Sequence, residues 1–283
     1  MENRPIIVAV TSRKGSVGKT VSTSLLARYF TEVEGKRVVV VDLDARGGIT
    51  SLLHDQPLSK NEKSVVEILL AAQQQESVRD LFTKALIETG LEKSKHWEDN
   101  GGCLYLLPPK PSLDSVLSGK PATLLRTALH SLELPEEHVI LIDTGSNSSS
   151  VQMGVAAADI VFLPLKYSRQ DVRPAVETLR TIVMEQRGNG RAVLGGLVVN
   201  GDGDTQWEAG YEKKFKDLFA RFQQKTGFAS ATDDPFIHLN QSRLIQRGIY
   251  MDWSLRDNFL ETGQKIADAV HAKGSNIKER ADG

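Results

Sequence analysis

The sequence predicts one α/β domain built on a mostly parallel, twisted sheet with helices on both faces. Three observations predict it. Short β-branched runs such as VVVV at 38–41 carry no interrupting polar residue, which is the pattern of a strand buried on both faces. Segments of helical period separate these runs, and strand–helix alternation implies right-handed crossovers between parallel strands. A glycine-bearing loop joins the first apolar run to the first helical segment.

Residues Ile6–Val10 read as the first strand, a buried run ending at Thr11 and Ser12. From Thr20 the apolar residues Leu25, Leu26, Tyr29 and Phe30 recur at helical spacing, and Gly35 marks the stop. Arg37–Leu43 is the second strand. Residues 64–90 read as mostly helical, 93–102 as a polar loop, and Cys103–Leu107 as a short strand ahead of a proline-rich turn. A helix is expected over 117–132 and a buried strand over 138–143, HVILID. Further strands are expected at 160–164 and Val193–Asn200, with a helix over 169–186 between them, and the last third, from Tyr211, reads as helical. The domain is expected to span 1–272, leaving 273–283 as a polar tail.

With 283 residues, 40% hydrophobic and 25% charged, the chain can bury a sizeable core and is too evenly mixed to be disordered. A formal net charge of −1 supplies no global pull toward nucleic acid or an anionic membrane, so any such binding has to come from a local patch or from dimerisation. The single cysteine, Cys103, excludes an intrachain disulfide framework and fits a reducing compartment. No run approaches the ~18 apolar residues of a spanning helix, and the N-terminus lacks a basic segment followed by an apolar core. The expectation is a soluble, unprocessed cytoplasmic protein.

The strongest chemical signal is RKGSVGKT at 13–20, placed between a strand and a helix as a phosphate-binding loop (P-loop) requires. Gly15, Ser16, Val17 and Gly18 let backbone N–H groups approach phosphate oxygens, and the helix entered at Lys19, Thr20 and Val21 points its positive end at them. Lys19 reaches the β and γ phosphates and the Thr20 hydroxyl ligates Mg²⁺. The bland alternative is a glycine-rich turn with a chance GKT; the strand and helix on either side argue against it.

Arg13 stands where the general motif has glycine, and a second lysine, Lys14, follows it. In KGSVGKT the chain resembles the deviant Walker A motif, KGGxGK[ST], of the ParA/MinD (Soj-like) ATPase family, with Ser16 in place of a glycine. The resemblance implies ATP and Mg²⁺ as cofactors and a catalytic Lys14 that crosses a dimer interface to the partner's nucleotide. VVVVDLDARGGIT at 38–50 resembles the family's second motif, a strand ending in D-x-D. Two carboxylates just past a buried strand emerge at the edge of a parallel sheet where such folds bind ligands, although a D-x-D can also be a helix-capping turn. By resemblance Asp44 positions or activates the attacking water and Asp42 supports the Mg²⁺ shell. VILIDTGSN resembles the Walker B strand, with Asp143 holding Mg²⁺ through water and Gly145-Ser146 where the family usually has two prolines. GGLVVN ends at Asn200, whose carboxamide offers a donor and an acceptor to adenine, though asparagine at a strand end is also a common turn residue.

Arg169, Arg173, Arg180 and Arg187 fall along one helical face, and a second helix sets Lys214, Arg221 and Lys225 away from a Phe215, Leu218, Phe219 and Phe222 stripe. Arg243 and Arg247 lie one turn apart. All three sets are candidate contacts to DNA phosphates, against the ordinary reading of solvated faces. Ile266, Ala267, Ala269 and Val270 make too small an apolar face for a C-terminal membrane anchor. The implied function is a ParA-like ATPase that dimerises with ATP, binds non-specific DNA on the nucleoid and positions a cargo with a ParB-like adaptor that stimulates slow hydrolysis. A MinD-like membrane ATPase and a non-hydrolysing scaffold are the alternatives; the lone Cys103 opposes an iron–sulfur enzyme.

Overall fold

The computed structural model describes residues 4–54, 56–59, 61–89, 102–135, 137–189, 192–200, 206–232, 234–239, 261 and 263–271. Its strands are β1 (Ile6–Val10), β2 (Arg37–Leu43), β3 (Ile87–Glu88), β4 (Cys103–Leu107), β5 (His138–Thr144), β6 (Ile160–Leu165), β7 (Val193–Asn200) and β8 (Phe236–Leu239). They form one 8-stranded sheet in the order β3-β4-β2-β5-β1-β6-β7-β8. Every ladder is parallel except β3 with β4, an antiparallel pair at the edge. The helices are α1 (Lys19–Arg28), α2 (Gly48–Leu53), α3 (Val65–Gln73), α4 (Arg79–Ala85), α5 (Leu113–Leu117), α6 (Leu124–His130), α7 (Ser148–Ala157), α8 (Arg169–Asn189) and α9 (Gln206–Thr226).

Side chains that alternate along each strand divide the core in two. Val8 and Val10, with Val38 and Val40, face Leu26, Phe30 and Ile49 of the α1–α2 side and Ile266, Ala267, Ala269 and Val270 of the segment 263–271. Ile7 and Ala9, with Val39 and Val41, face α3 to α9. Uninterrupted apolar runs are therefore required, since both faces are covered. The apolar residues of 263–271 are buried in this core, and Gly263 lies so close to the Tyr29 ring that an added Cβ would sit 2.1 Å from it. None of the described helices is long and apolar enough to cross a membrane.

Strand register brings the motifs together. β1 against β5 aligns Val10 with Asp143, and β2 against β5 aligns Asp42 with Asp143. Neighbouring strands lie about 4.8 Å apart, so two carboxylates stand side by side beside the strand that feeds the P-loop. The loop leaves β1 between β5 and β6, at the carboxyl end of the sheet.

Several expectations were too coarse. Within the expected helical stretch 64–90, the described residues to 89 are helical only as α3 and α4, after which the chain turns into β3. The expected 117–132 helix is the shorter α6, while Leu117 ends α5 instead, because Gly119 takes a φ of 73° and Pro121 follows it. The last third holds a helix, α9, but also β8, a four-residue edge strand too short for its alternation to stand out. α2 and α7 had not been resolved; α7 buries Ser150, Gly154, Ala156 and Ala157, small residues that leave little apolar periodicity. The proposed tail, 273–283, and Arg243 and Arg247 lie outside the described residues.

Candidate functional site

The P-loop runs from β1 into α1, whose N-cap is Gly18 at φ 94° with no side-chain cap. The first-turn N–H groups of α1 therefore lack side-chain acceptors, the condition for an anion site at a helix N-terminus. Gly18 is also dictated by packing: an added Cβ would lie 2.6 Å from Asn200 Nδ2. Ser16 holds a φ of 61°, a left-handed conformation that glycine accepts freely and serine does not. Arg13 N donates to Thr178 Oγ1 of α8 at 3.1 Å, fixing the start of the loop to that helix.

Lys19 is buried, and its ammonium donates to the Lys14 carbonyl at 3.0 Å and to Ser146 Oγ at 3.1 Å. Burial lowers its pKa, partly offset by Asp143 and Asp44. Asp143 is fully buried; Thr20 Oγ1 donates to one of its oxygens at 2.9 Å and Thr23 Oγ1 to the other at 3.0 Å. Burial, with the neighbouring Asp42 charge, pushes its pKa up to about 7 against the two hydroxyl donors. Asp42 is also buried, accepting from Asp44 N at 2.9 Å and from Thr50 N and Oγ1 at 3.1 and 2.7 Å, with burial raising its pKa to about 6. Asp44 is half-buried and accepts three bonds from Arg46, described below. Burial alone would raise its pKa, but the Arg46 bonds and charge bring it below the usual carboxylate range.

The structure thus brings Lys19, Thr20, Asp42, Asp44 and Asp143 together at the carboxyl end of the sheet, with Gly15 facing Ser146 Oγ at an added-Cβ distance of 3.7 Å. Among the described residues the Lys14 ammonium has no hydrogen-bond or ion-pair partner, while its backbone N donates to Ser12 Oγ at 3.3 Å. Val21 lies in the first turn of α1, part-buried. Asn200, the candidate adenine contact, is fully buried and its carboxamide donates to the Val17 carbonyl at 2.6 Å, so it braces the loop. No cluster of three His, Cys, Asp or Glu side chains occurs among the described residues. A hard cation would therefore have to take Thr20 and Asp143 together with ligand oxygens.

Four contacts escaped the sequence reading. Thr23 follows Lys19 by one helical turn, which explains its bond to the Lys19 carbonyl but not the one to the distant Asp143. Thr50 on Asp42 and Ser146 on Lys19 join segments distant in sequence, and no local pattern announces them. Arg46 was legible as an arginine two residues past a carboxylate, but its side chain could have pointed anywhere.

The described basic candidates are exposed on α8 and α9. Arg169, Arg173, Arg180 and Arg187 are exposed on α8; Arg173 pairs with Glu177 at 2.9 Å and Arg187 donates to the Thr226 carbonyl at 3.0 Å. Lys214, Arg221 and Lys225 are exposed on α9, whose Phe215 and Phe219 are buried as the stripe predicted.

Residues 8–225 match the CobQ/CobB/MinD/ParA nucleotide binding domain. The chromosome-partitioning ATPase Soj of Thermus thermophilus is 31% identical over 205 residues, 70% of each chain. Among solved structures, cobyrinic acid a,c-diamide synthase from Mycobacterium smegmatis with bound ATP analog and magnesium is 27% identical at a TM-score of 0.61, covering 75% of this chain and 82% of that one. An ATP complex of a substituted Cyanothece McdA superposes at a TM-score of 0.70 over 96% of this chain and 97% of that one, at 17% identity. That last likeness bears on the fold alone.

Proposed function

The chain belongs to the CobQ/CobB/MinD/ParA nucleotide-binding family, and on that premise we propose that it is an ATP-hydrolysing switch of the partition type, dimerising with ATP and binding DNA without sequence preference. The observation that carries the reading is the convergence of Lys19, Thr20, Asp143 and Asp44 at the ends of β1, β2 and β5, with the Lys14 ammonium unpartnered among the described residues. Likeness to Soj, a partitioning ATPase, supports the same branch.

The α1 N-terminus and the loop N–H groups receive the phosphates, and Lys19 exchanges its two neutral acceptors for phosphate oxygens, a stronger charge-assisted bond. Thr20 and Asp143 fit Mg²⁺, two hard oxygen donors already in contact; the ion would neutralise charge developing on the transferred phosphoryl. Asp42, held by Asp44 N and by Thr50 of α2, supports the ion's shell by its charge from beside Asp143. Asp44, beside Lys19, orients the attacking water. Lys14 reaches the nucleotide of a second copy. Exposed arginines of α8 and the α9 cations Lys214, Arg221 and Lys225 supply phosphate contacts, doubled in a dimer. An adaptor of the ParB kind accelerates hydrolysis, and the protein resides on the nucleoid in the cytoplasm.

The test is binding of the purified chain to non-specific duplex DNA with Mg-ATP, with ADP and without nucleotide, at two salt concentrations, alongside light scattering for the dimer. Salt-sensitive binding confined to the ATP state is the expected result. ATP-dependent dimerisation without DNA binding in any state would overturn the DNA half of the proposal. It would then redirect the search to a membrane or protein scaffold.

A further inference from the structure

Resting on the reading of Asp44 as the group that orients water, we propose that Arg46 is a positioning residue that restrains Asp44, so that this chain's basal hydrolysis is limited by release of an internal ion pair.

Arg46 closes on Asp44 three ways: its backbone N and Nε donate to Oδ1 at 3.1 and 3.0 Å, and Nη2 donates to Oδ2 at 2.9 Å. A carboxylate has about four acceptor positions. Three are filled by one residue, and charge pairing weakens what remains as an acceptor for water. The pair is lopsided in exposure: the Asp44 side chain is 18% exposed and that of Arg46 is 75%. The guanidinium thus lies over the carboxylate as a cover open to solvent, where a partner could displace it without disturbing the core.

Its neighbours connect it to the rest of the site. Arg46 precedes Gly47, at φ 66°, and Gly48, whose position touches Thr20: an added Cβ there would lie 3.4 Å from Thr20 Oγ1. Glycine at both places lets the segment re-form without side-chain obstruction when Thr20 changes partners. Asp114 on α5 also attracts Arg46, and it accepts a hydrogen bond from Asn147 Nδ2 at 2.9 Å, the N-cap of α7 next to Ser146. Asp114 offers the guanidinium a second carboxylate to move to, on the element that contacts the loop after Asp143. The arrangement has two stations for one cation, with Asp44 covered at the first and uncovered at the second.

The experiment is steady-state phosphate release by the full chain at saturating Mg-ATP, without DNA or partner protein. The variants are Arg46→Gln, Arg46→Lys, Asp44→Ala and the double Arg46→Gln/Asp44→Ala. Removing a favourable, largely exposed ion pair should raise the Arg46→Gln turnover about five-fold, with ATP affinity unchanged. Arg46→Lys should give a smaller gain, because an ammonium keeps the charge but cannot bond both oxygens at once. The parent's rate should rise with added salt and that of Arg46→Gln should not, a response a merely structural role would not produce. The double variant should be as slow as Asp44→Ala. An Arg46→Gln rate equal to or below the parent's, with Asp44→Ala inactive, overturns the restraint and leaves the role of Asp44 intact. Parental turnover by Asp44→Ala overturns both.

Discussion

Asp143 is the most constrained charge in the site, and its neutral isostere, Asp143→Asn, should change how stability depends on pH. The folded chain holds the Asp143 proton up to about pH 7, whereas the ordinary carboxylate value is 3.8. Between those values the folded state binds more protons than the unfolded state. Stability therefore falls as pH rises, steepest where the two states differ by a full proton. One unit of pKa corresponds to about 1.4 kcal/mol, so raising the pH from about 5 to about 6.5 should cost the nucleotide-free parent about 2 kcal/mol that the variant retains. In a chain of this size that is about 4 °C in melting temperature. The assay is thermal unfolding of both proteins without nucleotide across that range, and then with Mg-ATP. Asp42 interacts with Asp143 across the β2–β5 pair, so the difference between the two curves reports the coupled carboxyls, with Asp143 the group removed. With Mg-ATP the parent should regain stability at high pH, because the ion needs the carboxylate, and the variant should not. Parallel pH curves for parent and variant would refute the reasoning, since an Asp143 of ordinary acidity in the fold has no such slope.

Ser16→Gly should stabilise the nucleotide-free chain: relief of a left-handed serine is worth about 1–2 kcal/mol, offset by the 0.5–1 or so that glycine loses in freedom. A lower melting temperature would instead mean that the Ser16 side chain contributes to the loop. Gly18→Ala should do the opposite, since its Cβ meets Asn200 Nδ2 at 2.6 Å with φ at 94°. Strain of about 1–3 kcal/mol should lower the melting temperature by about 2–6 °C and weaken ATP binding. Unchanged melting and ATP affinity would show that the Asn200–Val17 brace does not constrain the loop.

Much of this architecture was legible because its signals are local. A strand buried on both faces must be apolar at every position, so β1, β2, β5 and β7 announce themselves within a few residues. A phosphate loop needs small residues at fixed offsets from a lysine, so RKGSVGKT marked the candidate nucleotide site, and Asp42, Asp44 and Asp143 followed as candidates from strands ending in carboxylates. β3 and β8 did not emerge, because two- and four-residue edge strands carry too little alternation, and their pairing is decided by β4 and β7. Asn200 offered a carboxamide at a strand end; only packing beneath Gly18 directed it to the Val17 carbonyl.

What the sequence determined by itself is the class of fold, the glycine-bearing loop proposed to take phosphate and the candidate carboxylates around it, since each rests on spacing within a single segment. Only the tertiary structure decided that Asp42 and Asp143 lie in register, that Ser146 receives Lys19, and that Arg46 covers Asp44. The first two contacts join residues about 100 or more positions apart through the order of strands in the sheet, which no local pattern encodes. The third is a choice among rotamers of a long, exposed side chain, settled by the field of the carboxylates around it.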